Sequence, residues 1–189
     1  MKNLFLILFA LALIPSLAKA EPYTYAPDNC DMQITFPEKP FIEKKCLTSG
    51  EKKDCTDIVT YKKIIPPDAS VNFRVTCVGY DKKELDTYTN EVVEKTLNKL
   101  MKDQGMEAYD VSSDDADGIR RATSMSVGTK DDVPYIYSGQ IWIGEKSMFT
   151  LEAQMKGAKN DEIDKTFASI LRDTYPKKLK VEKPDQKEK

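Results

Sequence analysis

The chain of 189 residues carries a formal net charge of −2 and contains no histidine. Without imidazole it cannot form a Ser-His-Asp or Cys-His catalytic arrangement, or a zinc or haem site with a histidine ligand. Residues 21–175 hold 28 acidic and 21 basic side chains, so they lack the basic excess with which nucleic-acid-binding proteins neutralise phosphates.

The first 20 residues predict a secretory signal peptide. Lys2 precedes an apolar run over residues 4–14, and Ala18 and Ala20 form an A-x-A cleavage pattern before Glu21. A membrane anchor is the alternative, but a run of about 11 residues is well short of the roughly 20 that a spanning helix needs. We therefore expect a soluble exported protein with no transmembrane segment after cleavage.

Four strands are predicted in the first part of the mature chain. Residues 21–29 (EPYTYAPDN) form an extended lead-in without periodicity, in which Tyr23 and Tyr25 are expected to be exposed or to cover a sheet edge. Strands should follow over residues 30–36, 41–47, 57–65 and 71–80. The first and fourth of these strands alternate apolar and polar side chains with period two, as half-buried strands do.

The four cysteines of the chain are an even set behind a predicted signal peptide, which favours two disulfides. They are Cys30, Cys46, Cys55 and Cys77. A zinc site of four thiolates would use tight C-x2–4-C spacings, and a thioredoxin-like site would need C-x-x-C. Neither spacing is present, so these cysteines indicate architecture rather than metal or redox chemistry.

Strand periodicity favours one of the three possible cysteine pairings. Cys30 begins its strand and Cys77 ends its own, each on the apolar face. If the two strands lie antiparallel and close to each other, their sulfurs can meet. Cys46 and Cys55 would then close the intervening loop, which contains turn residues.

The hydrophobic period changes to that of a helix after the fourth strand. Between residues 82 and 104 the apolar side chains form one stripe, Asp81 with Glu84 provides a capping start, and Gly105 provides a stop. We expect one helix of about 22 residues there.

A second group of strands is predicted over residues 106–111, 119–127, 134–143 and 147–155, followed by a helix over 161–174. In the last strand Phe149 and Leu151 belong to the core face, whereas Glu152 lies on the opposite face. The tail, residues 176–189, is charged and expected to be disordered. The chain is thus expected to fold as one α+β domain over residues 30–175, a mainly antiparallel sheet with one long mid-chain helix and a C-terminal helix packed on it.

The order of these elements resembles a known family. A first strand ending in proline (ITFPEKP), the amphipathic helix, the hairpin YSGQIWIGEKSMFTLEAQM and the terminal helix DEIDKTFASILRDTY are together similar to the PsbP-like fold, which periplasmic DcrB-like proteins share. The likeness covers residues 30–175. It implies an accessory or partner-binding role outside the cytoplasm, since members of the family are mostly non-enzymatic.

The acidic segment DVSSDDADGIRR is the one candidate metal site in the sequence. Compared with an EF-hand loop the segment lacks two carboxylate ligands, which favours a solvated turn between two strands. A looser calcium site formed by Asp114, Asp115 and Asp117 is the alternative. Arg120 and Arg121 should point to opposite faces of a strand and pair with these aspartates.

Other chemistry is not specified by any motif. Trp142 lies in an apolar run and is expected to pack in the core. No G-x-S-x-G, P-loop or dinucleotide-binding glycine pattern occurs in the sequence. Many pairs of carboxylates are available, but nothing marks any two of them as a hydrolytic pair.

These observations favour an exported, non-enzymatic accessory or partner-binding protein of the cell envelope or extracellular space. We expect it to need no cofactor and to bind another envelope or secreted protein rather than nucleic acid; its binding residues are not identified. One alternative is a small carboxylate-dependent hydrolase acting on envelope polymers. Another is a calcium-dependent binding module.

Overall fold

A computed structural model of the chain describes residues 20–49, 52–106, 110–116 and 118–177. The first part of the chain forms five strands, β1 (Tyr23–Tyr25), β2 (Met32–Phe36), β3 (Phe41–Ser49), β4 (Lys52–Ile65) and β5 (Ala69–Gly79), followed by two helices, α1 (Lys82–Leu85) and α2 (Asn90–Asp103). The second part forms β6 (Asp110–Ala116), β7 (Ile119–Lys130), β8 (Val133–Ile143), β9 (Ser147–Lys156), α3 (Asp161–Arg172) and β10 (Thr174–Pro176).

The strands form two sheets in which every neighbouring pair is antiparallel. The large sheet has the order β3-β4-β5-β9-β8-β7-β6, and the small sheet has the order β1-β2-β10. Together with the helices they confirm the α+β class and the mainly antiparallel sheet. No helix of the described residues is long and apolar enough to cross a bilayer.

We call the two sides of the large sheet the front and back faces. The front face carries the apolar side chains of β4, β5 and β9, and the small sheet and α3 cover it there. Phe36 of β2 stacks on Tyr61, and Phe167 of α3 contacts Phe73, each pair with ring centroids 5.6 Å apart. This is the main hydrophobic core, and burial of such aromatic side chains stabilises it strongly.

The back face is covered at the opposite end of the sheet. Helix α2 packs on β6, β7 and β8, where Leu97, fully buried, belongs to one cluster with Ala122 and Ile141. Among the described residues β4 and β5 have little helix cover on their back face, and α2 covers β9 only as far as Glu152. The strands β6–β8 have little cover on their front face. The two helices therefore lie diagonally and leave one open area on each side of the sheet.

The long mid-chain helix is present as α2, but the predicted bounds 82–104 are wrong, because that stretch is divided into α1 and α2. The Thr87 hydroxyl donates to the carbonyl of Glu84 (2.7 Å), and Thr89 has extended backbone angles (φ −63°, ψ 165°) and caps the second helix through Val92 N–H. Threonines favour such local bonds over helix continuation. The predicted start at Asp81, which accepts from Glu84 N–H at 2.9 Å, is confirmed.

Several predicted boundaries also change. The lead-in 21–29 contains β1, which pairs with β2, and Tyr25 is 6% exposed rather than a surface residue. This burial, reinforced by the nearby Asp57, raises the pKa of Tyr25 to about 12. Strand β6 begins at Asp110 rather than at residue 106 and runs through the predicted DDADG turn to Ala116. Helix α3 ends at Arg172, and β10 carries the fold to Pro176 at the start of the predicted tail, whose residues 178–189 lie outside the described residues.

Candidate binding surfaces

Both disulfides have the pairing that strand periodicity favours. Cys30 and Cys77, 0% and 3% exposed, form what we call the core disulfide, which joins the segment before β2 to β5. Cys46 and Cys55 lie directly opposite each other in β3 and β4 and form the ribbon disulfide. Both of these residues are exposed.

The ribbon disulfide staples a hairpin that extends past the rest of the sheet. Strand β4 pairs with β5 only over 58–65, whereas the β3–β4 pairing continues outward to Ser49 and Lys52. A two-stranded ribbon is marginally stable by itself in water. The ribbon disulfide therefore holds together strands that the sheet does not support.

Glu152 forms a buried polar network on the back face, beside the C-terminal end of α2. Its Oε2 accepts hydrogen bonds from Tyr137 Oη (3.0 Å) and from Gln104 Nε2 (3.4 Å), and its Oε1 accepts from Arg74 Nη1 (3.1 Å). The carboxylate is 8% exposed and Tyr137 is fully buried. Burial and the neighbouring Glu152 raise the pKa of Tyr137 far above its ordinary value, so it stays a donor.

Strand periodicity placed Glu152 on the face opposite the core, and that assignment of face is correct. What the sequence does not reveal is that α2 and β8 cover this position. The network joins the end of α2 to the sheet through Gln104, and it neutralises the carboxylate with Arg74, as buried charges require. Because three donors occupy it, Glu152 serves the packing of the fold.

The open part of the back face is lined with hydrogen-bond donors. Asn72 is directly opposite Lys62 on one side and Gln154 on the other, while Ser70 is directly opposite Lys156. These five side chains and Tyr135 line a depression of about 280 Å³. We call the five side chains Lys62, Ser70, Asn72, Gln154 and Lys156, together with Arg74, the donor ring. None of the acidic side chains that the structure describes lines this depression.

The open part of the front face is a shallow groove between the β6–β8 strands and α3. It has a volume of about 290 Å³, and we call it the front groove. Its lining combines hydroxyl, amide, acidic and apolar side chains, namely Asp110, Ser112, Thr123, Ser124, Met125, Ser138, Gln140 and Leu171. Met125 is 46% exposed and the neighbouring Val127 is 54% exposed. Two large apolar side chains thus lie in water on one uncovered area of sheet.

Asp114 and Asp115 of the acidic segment are consecutive residues of β6 and each pairs with its own arginine. Asp114 pairs with Arg121 (2.5 Å) and Asp115 with Arg120 (3.3 Å), and consecutive strand residues lie on opposite faces. Both local ion pairs were expected, whereas Asp117 lies outside the described residues. Among those residues no three acidic or cysteine side chains converge as metal ligands would, and the calcium site stays a prediction.

Trp142 packs in the core, as predicted. It is 9% exposed, donates to Gln140 Oε1 at 3.1 Å, and lies under the guanidinium of Arg121, whose Cζ is 5.0 Å from the ring centroid. Its ring is therefore part of the core and does not serve as a free aromatic platform.

Neither open surface was identified in the sequence. The alternation of polar side chains in β5 and β9 indicates which side chains point away from the main core. It does not indicate whether a helix covers them. Comparison of the chain with models of protein families finds no match. The same comparison with curated proteins also finds none.

Proposed function

We propose that this is an exported, non-enzymatic accessory protein that binds a partner protein through the front groove. The observation that carries the proposal is the pair of exposed apolar side chains, Met125 and Val127, on an uncovered area of the sheet. Contiguous apolar surface beside polar groups is typical of protein–protein contact sites.

The chemistry of the front groove indicates the kind of partner segment. Met125 and Leu171 offer apolar contacts, Ser138 and Gln140 offer hydrogen bonds, and Asp110 contributes a negative charge. A segment with apolar side chains followed by a basic one is complementary to this lining.

Export is supported by the disulfides and by the N-terminal pattern. Two disulfides are typical of proteins that fold in an oxidising compartment, and residues 1–20 have the pattern of a secretory signal. A periplasmic or extracellular location is therefore part of the proposal. The similarity of element order to PsbP-like and DcrB-like proteins implies the same kind of accessory role.

A non-enzymatic role is supported by the side chains available. The chain has no histidine, and Glu152, the one buried charged side chain of the described residues, is occupied by three donors. A hydrolase of the alternative type would need two carboxylates at a defined separation about a cleft.

The proposal is tested by crosslinking in the native envelope. A photoreactive residue at position 112, an exposed position in the lining of the front groove, should yield a specific crosslinked protein, identified by mass spectrometry. The Met125→Glu/Val127→Glu variant should lose this product, because two carboxylates would lie at the apolar contact. Both positions are about half exposed, so the variant should remain folded.

A matched control separates this loss from a general effect of charge. Val92→Glu/Ile64→Glu adds the same two charges at apolar positions that are 40% and 59% exposed elsewhere, and it should retain the product. An unchanged product in the groove variant, or equal loss in both variants, would contradict the proposal.

A further inference from the structure

We propose that the donor ring on the back face is a binding site for a phosphate group. The proposal does not depend on the front groove, which lies on the other side of the sheet. It rests on the donors grouped around Asn72, on the lack of acidic side chains in the lining of the depression, and on the pairing of Arg74 with Glu152, the nearest acid.

The register of three strands brings the donors together. Directly opposite residues in antiparallel strands have Cβ atoms about 5 Å apart, and alternate residues of one strand are about 7 Å apart. Lys62 and Gln154 are directly opposite Asn72, and Ser70 and Arg74 are its two neighbours on the same face of β5. The side chains of one small area thus offer two ammonium groups, a guanidinium, two amides and a hydroxyl.

The charge of this area is opposite to that of the molecule. Residues 21–175 carry 28 acidic and 21 basic side chains, yet the donor ring contains Lys62, Lys156 and Arg74. Neither lysine forms an ion pair with a described residue. Glu152, the nearest acidic residue in the strand register, already forms an ion pair with Arg74. The positive charges of the two lysines are therefore available to attract an anion.

Phosphate fits this arrangement better than a carboxylate does. A carboxylate is recognised best by the fork of a free guanidinium, but Arg74 Nη1 is held by Glu152 at 3.1 Å. Lysine binds phosphate as a point charge, and the tetrahedral oxygens of phosphate accept from several directions. The depression of about 280 Å³ leaves room for the group that carries the phosphate.

The test measures phosphate binding to the purified full-length protein. Inorganic phosphate is titrated at constant ionic strength against chloride, with calorimetry for affinity and 15N-edited NMR for location. The side-chain amide signals of Asn72 and Gln154 should shift, and chloride alone should not shift them. Lys62→Glu/Lys156→Glu should weaken binding at least about tenfold, because attraction becomes repulsion.

A control with the same change in net charge makes the loss specific. Lys83→Glu/Lys165→Glu alters two exposed lysines, one on α1 and one on α3, which covers the opposite face of the sheet. It should leave the affinity within about twofold, since exposed charges far from a site are screened. Both variants should keep the melting temperature of the parent protein.

A second arm distinguishes the source of the phosphate. Vesicles of phosphatidylglycerol and of phosphatidylcholine are tested by sedimentation with the same variants. Binding of free phosphate would identify the ligand as a soluble phosphate compound, and binding only to phosphatidylglycerol would identify it as a lipid headgroup. Either result supports the site if the binding is lost in Lys62→Glu/Lys156→Glu. No binding in either arm, or equal binding by the two variants, would overturn it.

Discussion

Replacing Tyr137 by phenylalanine should destabilise the protein by about 2 kcal/mol, since a hydrogen bond to a charged group contributes about 1.5–3 kcal/mol. The lost bond runs from a fully buried hydroxyl to Glu152 Oε2 at 3.0 Å. The remaining donors compensate little, because Gln104 lies at 3.4 Å from the same oxygen and Arg74 is bound to the other.

A double-mutant cycle measures the interaction between Tyr137 and Glu152 separately from the other effects of each substitution. Glu152→Ala alone should cost about 3 kcal/mol, because it leaves the Tyr137 hydroxyl buried without this acceptor, whereas Arg74 is half exposed and can be solvated again. In Tyr137→Phe/Glu152→Ala no orphaned hydroxyl is left. The double variant should therefore be less destabilised than the sum of the single variants, by about 2 kcal/mol.

Equilibrium unfolding in urea measures these changes, with Trp142 as the reporter because it is the one tryptophan of the chain and is buried in the fold. The slope of the unfolding free energy against urea should stay constant across the four proteins. A loss below about 0.5 kcal/mol for Tyr137→Phe, or single effects that simply add, would refute a coupled buried bond.

Two other predictions concern the disulfides and a close backbone contact. Mild reduction of the folded protein should open the exposed ribbon disulfide before the buried core disulfide, because thiol exchange requires access; alkylation and mass mapping would contradict this if the core cysteines were labelled first. Gly144→Ala should destabilise by about 1–3 kcal/mol, because its Cβ would overlap the Asp31 carboxylate, which accepts from Lys146 N–H and Ser147 Oγ. Gly128→Ala, with open space around it, is the control, and equal melting temperatures for the two variants would exclude the clash.

Local patterns were sufficient for most of the elements of this fold and for the favoured pairing of its cysteines. The alternation of Val71, Phe73 and Val75 determines both strand and buried face, because side chains of a strand alternate between the two faces. The same periodicity put Cys30 and Cys77 on apolar faces, and their bond forms because the small sheet packs on the front face of the large sheet. The break between α1 and α2 was missed because the apolar stripe continues across it, while the bonds of Thr87 and Thr89 end the helix.

Both candidate surfaces depend on strand order, which local patterns do not specify. Lys62, Asn72 and Gln154 become neighbours because β9 inserts beside β5, about 80 residues later in the sequence. Glu152 is buried, whereas Gln154, two residues later on the same face of β9, is partly exposed. The difference depends on where α2 ends over the sheet. The sequence by itself determined the class of fold, the apolar faces of β2, β5 and β9, and the exclusion of histidine chemistry. Only the tertiary structure decided which areas of the sheet stay uncovered, because burial depends on contacts between segments far apart along the chain.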